Sequence, residues 1–202
     1  MKRLISWLEV LLKKIKTIFV LFIYIFLATT SSLSAKENWI IDKQLSSISF
    51  ELPVLFLKNV KGVFDVIDGL VEIDVNKMKK NKAIFSVDIA SIDTNYKKYE
   101  KLLLSNVFFN QKQYSKALID TKKFSYENEQ DLTINVELTI KDYSKIIPIN
   151  IKVNRLAVEL IQIQGEIIFS RTDFNLGTGK WSNTLILKDD IKVNVNLFLF
   201  KE

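Results

Sequence analysis

Apolar and polar residues alternate with a period of two along most of this chain. The segment Ser47–Leu52 alternates in this way, and so do residues 83–89, 132–140 and 191–200. Such a pattern predicts antiparallel strands that turn one face to a core and the other to solvent. Turn-forming residues, among them the Asp-Gly pair at 68–69, separate the alternating segments. The spacing predicts roughly nine to eleven strands and an all-β sandwich or barrel.

The predicted inward positions of these strands are occupied almost throughout by Ile, Val, Leu and Phe. Closing the sheet into an antiparallel β-barrel would remove the two open edges that a long sheet otherwise presents. Side chains of this kind exclude a water-filled lumen. The pattern fits both remaining alternatives, which are a core packed by side chains and an apolar cavity that holds a ligand.

One short segment, residues 93–110, departs from the strand pattern. Its Asp-Thr-Asn cluster predicts a helix whose N-cap is Thr94 or Asn95. Three lysines lie on one face of this helix. Four side chains share the opposite, apolar face: Tyr96, Tyr99, Leu102 and Leu103. The pair Phe108 and Phe109 follows. We expect this short amphipathic helix to bury its apolar face against the barrel, as a plug that completes the core or as a lid over a cavity.

The N-terminus has the parts of a targeting segment. Basic residues precede the apolar run Ile18–Ala28, and small residues follow it up to Ala35. This order is typical of a secretory signal peptide. Residues 17–35 also lack charge over nearly the length that spans a bilayer, so an uncleaved anchor helix is the alternative. We therefore predict a signal peptide or N-terminal membrane anchor over residues 1–35 and one domain over residues 36–202.

Composition narrows the chemistry. The 202 residues include neither histidine nor cysteine, which excludes disulfides, thiolate nucleophiles, Ser-His pairs and His- or Cys-based zinc sites. No carboxylate pair stands in an evidently apolar setting, so we expect no enzyme, no metal and no cofactor. The formal net charge of +6 lies mostly in residues 1–35. The remainder is close to neutral, which gives no reason to expect nucleic-acid binding.

Seven short motifs, in this order, give the chain a resemblance to the YceI-like proteins: NWIIDKQLSSISF, KGVFDVIDG, ASIDT, LLLSNVFFNQKQY, LTIKDYSKIIP, FSRTDFNLG and LKDDIKVNVNL. They extend over about residues 38–201. The resemblance implies a periplasmic protein with a lipocalin-like antiparallel β-barrel that binds polyisoprenoids or other long-chain lipids. It also implies that the helical segment lies beside the lipid-binding lumen.

We therefore expect the lumen to bind a long-chain lipid. This lipid would be a bound partner and not a cofactor. Methylene burial would supply affinity at about 0.8 kcal/mol per group. The candidate lipid-binding residues are Phe50, Phe64, Phe85, Leu102, Phe108, Phe109, Phe169, Arg171, Phe174 and Trp181.

Several positions depart from the family pattern. The family often shows His-Ser where this chain has Leu45-Ser46, and Arg-Asp-x-His-Leu where it has residues 99–103. Apolar Leu45 and Leu102 thus stand where polar anchors are usual, so we expect a more apolar cavity mouth. Arg171 matches a family arginine. It would pair with Asp173 or another strand's carboxylate, or it would face an anionic head group.

Location and assembly complete the expectations. We expect a periplasmic protein, either free or held at the inner membrane by residues 1–35, with a homodimer left open. The alternative function, from a different class, is a packed structural or adaptor barrel that binds an envelope protein and holds no lipid.

Overall fold

The structure is a computed structural model that describes residues 14–16, 37–55, 59–65, 67–73, 81–122, 124 and 131–202. The chain divides into two compact units, Met1–Ala35 and Lys36–Glu202. Apart from residues 14–16, which are helical, the predicted signal or anchor segment lies outside the described residues. In the described part of the chain, no helix is both long enough and apolar enough to span a membrane.

The second unit is built from strands, as the alternation predicts. Its helix α1 spans Lys97–Leu104, and short 3₁₀ turns occupy Ile89–Ser91, Arg171–Phe174 and Gly179–Trp181. The described residues form eleven strands: β1 (Glu37–Ile41), β2 (Ser47–Leu52), β3 (Val60–Phe64), β4 (Ile67–Ile73), β5 (Lys82–Asp88), β6 (Ile92–Thr94), β7 (Lys116–Asp120), β8 (Asp131–Ile140), β9 (Tyr143–Ala157), β10 (Leu160–Ser170) and β11 (Asp190–Lys201).

The predicted all-β barrel is confirmed, because eight of these strands close into a ring. Their order is β1-β4-β5-β7-β8-β9-β10-β11, and β11 pairs back onto β1 with Ile41 opposite Leu199. Every pairing is antiparallel. The closure removes the sheet edges around the ring.

Strand β11 is long enough to serve a second partner beyond the ring. Residues 192–196 pair with β2, with Val193 opposite Phe50. From β2 the sheet continues to β3 and then to β6. Helix α1 and residues 105–115 then lead from β6 to β7, so the helical segment lies at the end of the barrel formed by β2, β3 and β6.

Alternation along each strand decides which side chains reach the core. In β9, Ile147, Ile149, Ile151 and Val153 are buried while the three residues between them are exposed. These inward side chains join those of the other strands in one continuous apolar core. The interior of the barrel is therefore almost wholly aliphatic and aromatic, and any site inside it must work by apolar contact.

Candidate functional site

Two apolar cavities lie in the lumen and share one layer of lining side chains. The ring cavity, inside the closed eight-strand ring, has a volume of about 60 Å³, and the helix cavity, beneath α1, has about 80 Å³. A cavity needs roughly 10–15 Å³ of such space to hold one water. Four side chains line both cavities: Ile48, Ile119, Ile167 and Val195. The lumen therefore has features of both predicted alternatives. Side chains pack most of it, and two apolar cavities remain within it.

The ring cavity offers no polar group to a ligand. Of the predicted site residues Phe85 lines it, together with aliphatic side chains such as Val71 and Ile163. Thr121 also lines it, but its hydroxyl accepts a hydrogen bond from the Ala83 N–H at 2.9 Å and donates to the Ala83 carbonyl at 3.2 Å. The cavity therefore selects for apolar groups alone.

The helix cavity contains most of the predicted aromatic lining. Five of its lining residues were singled out in the sequence: Phe50, Phe64, Phe108, Phe109 and Phe169. The Phe50 and Phe64 ring centroids are 5.6 Å apart, and Phe109 meets Phe64 edge-on at 6.1 Å. Leu103 of α1 lines the same cavity. The helix and the Phe pair together cover this end of the lumen.

Helix α1 is attached to β6 by a polar contact. The Glu100 carboxylate accepts a hydrogen bond from the Thr94 N–H at 3.2 Å and one from Lys97 Nζ at 2.9 Å. The hydrogen bond from Lys97 lowers the pKa of Glu100, and the bond from Thr94 acts in the same direction. The charged form of Glu100 is thus the form that fastens the helix to the barrel.

The start of α1 differs from the prediction. Its N-cap is Tyr96, not Thr94 or Asn95, and no side chain caps it. The Thr94 hydroxyl instead accepts from the Tyr96 N–H and donates to the Tyr96 carbonyl, which shapes the turn before the helix. Tyr96 is exposed rather than buried on the apolar face, and it meets Tyr99 edge-on at 5.4 Å.

Three predicted lining residues lie outside the lining of these two cavities. Leu102, Phe174 and Trp181 line neither cavity. Phe174 is fully buried with its ring 5.2 Å from that of Phe169, and Trp181 lies 6.2 Å from Phe108. Leu102 is half-buried on α1. Phe174 and Trp181 contact rings that line the helix cavity, a placement that apolar character alone does not distinguish from the lining itself.

Arg171 has the structural role that was one of its two predicted alternatives, although its hydrogen-bond partners are backbone carbonyls and not a carboxylate. Its guanidinium is fully buried and donates to five backbone carbonyls at 2.7–3.5 Å: Leu176, Gly177, Ser182, Leu187 and Lys188. Asp173, one predicted partner, pairs with Lys145 at 3.6 Å. Burial lowers the pKa of Arg171, and the charge of Asp189 opposes that shift. With its donors so engaged, Arg171 is not placed to meet a head group.

Residues 176–188, which we call the Arg171-held loop, are shaped by these bonds. Gly177 has a φ of +81°, and a Cβ there would lie 2.8 Å from Arg171 Nη1 and 3.2 Å from the Phe108 ring. Only glycine avoids both the backbone strain and the clash. The loop therefore follows closely around the guanidinium beside the helix cavity.

Leu45 is also placed differently from the expectation. It lies exposed in the turn between β1 and β2, where Asp42 Oδ1 accepts the N–H groups of Gln44 and Leu45 at 2.8 and 2.9 Å. It lines neither cavity. The Leu at this position therefore does not make the cavity mouth more apolar.

The lining also includes residues that were not singled out in the sequence. The shared layer of Ile48, Ile119, Ile167 and Val195 is aliphatic, and Gly165 lines the ring cavity without a side chain. The alternation of inward and outward residues along a strand could have identified these four aliphatic residues, because each has outward-facing neighbours. Within the described ranges, no group of acidic residues is arranged to hold a metal ion.

Comparison with known proteins agrees with this geometry. The sequence model of a family described as YceI-like domain matches residues 39–199. The chain is 31% identical over 114 residues to a UPF0312 protein of Photorhabdus laumondii. The aligned region covers 54% of this chain and 59% of that protein. The match therefore spans about three fifths of the relative's length.

Solved structures share the fold. Burkholderia cenocepacia BcnA superimposes with a TM-score of 0.72 at 23% identity, covering 78% of this chain and 98% of that one. A polyisoprenoid binding domain from Saccharophagus degradans, implicated in plant cell wall breakdown, gives 0.65 at 18% identity and covers 81% and 98%. At these identities the similarity shows a common fold.

Proposed function

This chain belongs to the YceI-like domain family, and on that premise we propose that it binds a long-chain lipid, of the polyisoprenoid or acyl type, in the lumen of its barrel. The observation that carries the proposal is the pair of apolar cavities that meet at a shared layer of four aliphatic side chains. Together they follow the lumen from the closed ring to helix α1.

The character of the lining favours a hydrocarbon chain over water or a polar ligand. Water in such a cavity lacks the two to four polar partners that hold buried waters in proteins. A hydrocarbon chain gains about 0.8 kcal/mol for each methylene removed from water, before entropy and strain are counted. The narrow volumes favour a slender chain, because a broad ring system would force lining side chains to move.

The likeness to the Saccharophagus polyisoprenoid binding domain supports the same ligand class. Since that likeness shows fold alone, the argument for this chain rests on its own lining. We propose binding and not catalysis as its role, and we propose that the protein is exported and acts in the periplasm. Residues 1–35 would then serve as the signal peptide or membrane anchor.

Native mass spectrometry of gently purified protein tests the proposal directly. We expect a retained lipid to appear as added mass. The variant Val195→Phe places a ring where the two cavities meet, so it should lose that mass while keeping its far-UV circular dichroism. Lipids that share one tail but carry different heads should bind within about tenfold of each other, or roughly 1.4 kcal/mol, because the lining engages only the tail.

The opposite results would redirect the assignment. Protein that carries no lipid and takes up none from detergent would favour the packed adaptor barrel. A strong preference for one head group would contradict recognition by the tail.

A further inference from the structure

The Arg171-held loop presents apolar side chains to solvent at the end of the barrel that α1 covers. Leu185 is 71% exposed and Ile186 is 49% exposed. Leu55, in the connection after β2, is 38% exposed, and its N–H donates to the Ile186 carbonyl at 2.8 Å. We call Leu55, Leu185 and Ile186 the apolar tip.

The apolar tip is held outward by local bonds. The Leu185 N–H donates to Asn183 Oδ1 at 2.8 Å, and the Ile186 N–H donates to the Asn183 carbonyl at 3.2 Å. Leu187, the next residue, is buried and bridges to Val54, while its carbonyl accepts from Arg171 at 2.9 Å. A turn fixed on both sides thus presents Leu185 and Ile186 to solvent while the loop itself stays packed on the barrel.

The charges around the apolar tip suit an anionic lipid surface. Along the chain, exposed lysines precede and follow Leu185 and Ile186, at Lys180 and Lys188, and no acidic residue occurs within residues 176–188. Asp189, which follows, accepts hydrogen bonds from the N–H and hydroxyl of Thr172 at 3.1 and 3.0 Å. A lysine close to an anionic bilayer is attracted by the negative surface potential of that bilayer.

Trp181 connects the loop with the helix cavity. The centroid of its ring lies 6.2 Å from that of Phe108, which lines that cavity. Lys180 Nζ lies 5.5 Å from the centroid of the Trp181 ring. Tryptophan is enriched at the membrane–water interface, where its apolar ring and its N–H are both accommodated. Leu176, at the start of the loop, lines the cavity as well.

We propose that the apolar tip inserts into the surface of a lipid bilayer and so brings the helix cavity to the source of its ligand. The inference rests on the proposed lipid-binding function and adds the surface through which lipid is exchanged. A bilayer fits better than a protein partner, because three side chains cover far less than the roughly 800 Å² that each partner of a stable protein complex buries.

Flotation with phospholipid vesicles tests the proposal on residues 36–202. This compact unit contains every strand of the closed barrel and its buried core, so it carries its own fold. Leaving out residues 1–35 prevents their apolar run from binding vesicles by itself. We expect the unit to float with phosphatidylcholine vesicles that contain phosphatidylglycerol, and we expect brominated lipids to quench Trp181. Trp39, the other tryptophan of the unit, is fully buried and serves as an internal reference.

Variants test whether vesicle binding depends on the apolar tip itself or on any exposed apolar side chain of the barrel. Leu185→Ser combined with Ile186→Ser should lower vesicle binding at least tenfold. Leu156→Ser is the matched control, since Leu156 is 53% exposed at the opposite end of the barrel, and it should change binding less than twofold. Lys180→Gln should weaken binding roughly fivefold, and only on anionic vesicles.

Three results would overturn the proposal: an equal loss in the Leu156 control, no quenching of Trp181, or self-association in solution that the double variant abolishes. The last would show that a second copy covers the apolar tip. Lipid supplied from detergent should still enter the double variant with unchanged affinity, because the tip lines neither cavity. Vesicle binding by a protein that takes up no lipid from detergent would support the docking surface while refuting the lumen function.

Discussion

Shortening Phe109 to alanine should weaken lipid binding while costing the fold less than the truncation of a fully packed phenylalanine would. Phe109 is half-buried, lines the helix cavity and meets the Phe64 ring edge-on at 6.1 Å. Part of its ring therefore faces the space that a ligand would fill. A ring in this position loses ligand contacts on truncation, whereas a ring packed on all sides loses protein contacts.

The two effects have different expected sizes. Truncating a fully packed Phe costs roughly 3–5 kcal/mol of the free energy of unfolding. Phe109 should lose only about 1–2 kcal/mol, because one side of its ring faces a cavity. An aromatic side chain buries about 150–250 Å². If a third of that area contacts the ligand, at about 25 cal/mol per Å² its loss removes roughly 1.3–2 kcal/mol of binding free energy, which is roughly tenfold to thirtyfold in affinity.

Phe174→Ala is the control, because Phe174 is fully buried and lines neither cavity. Urea unfolding of delipidated protein would give the stability of each variant, since bound lipid itself stabilises the native state. Titration with one long-chain lipid would give the affinities. We expect Phe174→Ala to lose the larger stability, and Phe109→Ala to lose the larger affinity.

One pattern of results would refute this reasoning. If Phe109→Ala lost as much stability as Phe174→Ala and bound lipid with unchanged affinity, the ring would be part of a core plug. The same experiment on Phe108, which is more deeply buried and also lines the helix cavity, would show whether the pair acts as a unit.

Three further changes probe other parts of the barrel. Gly165→Val should shorten the preferred lipid chain in competition between long and short tails, because even a Cβ at this position lies 3.2 Å from Ile151 Cγ2 beside the ring cavity; an unchanged preference would count against occupancy of that cavity. Arg171→Met should lose at least about 3 kcal/mol in urea unfolding, since it leaves five carbonyls without their donor; wild-type stability would contradict that role. Lys97 lowers the pKa of Glu100, so this carboxylate stabilises the fold above its unfolded pKa, and the contribution is lost as the pH falls through the lower, folded pKa. Melting temperatures measured from neutral pH downward should therefore fall less steeply for Glu100→Gln than for the wild type, and identical slopes would exclude the effect.

The sequence was most informative where the chain is regular. Inward residues of β9 such as Ile147 and Ile149 follow directly from alternation, because side chains on a strand point to opposite faces in turn. The same rule places Phe50, Phe64, Phe85 and Phe169 in the lumen, where they line the cavities. Alternation does not determine how deep each residue lies along the barrel, because that depth depends on strand register.

The sequence predicts least where no period fixes the direction of a side chain. Phe174 and Trp181 lie in 3₁₀ turns, so hydrophobicity alone could suggest burial but not whether they line a cavity or support its lining. The partners of Arg171 come from residues 176–188, and no local pattern brings five carbonyls to one guanidinium. Gly165 contributes to the ring cavity by lacking a side chain, which composition cannot reveal.

A helix occurs in this strand-rich chain where the sheet is least complete. The ring closes through β1 and β11 at one end, while at the other end the wall runs on from β11 to β2, β3 and β6. The chain then covers that end with α1 and residues 105–115 before it returns to β7. A continuous strand ladder would have to break many backbone hydrogen bonds to open. The cover instead relies on the Glu100–Thr94 bond, on ring contacts, and on the N–H groups of Gly177 and Thr178, which donate to the Val107 carbonyl at 2.9 and 3.0 Å. Because a strand ladder has more backbone hydrogen bonds to break, we expect the helical segment, and not a strand, to move aside if a lipid enters.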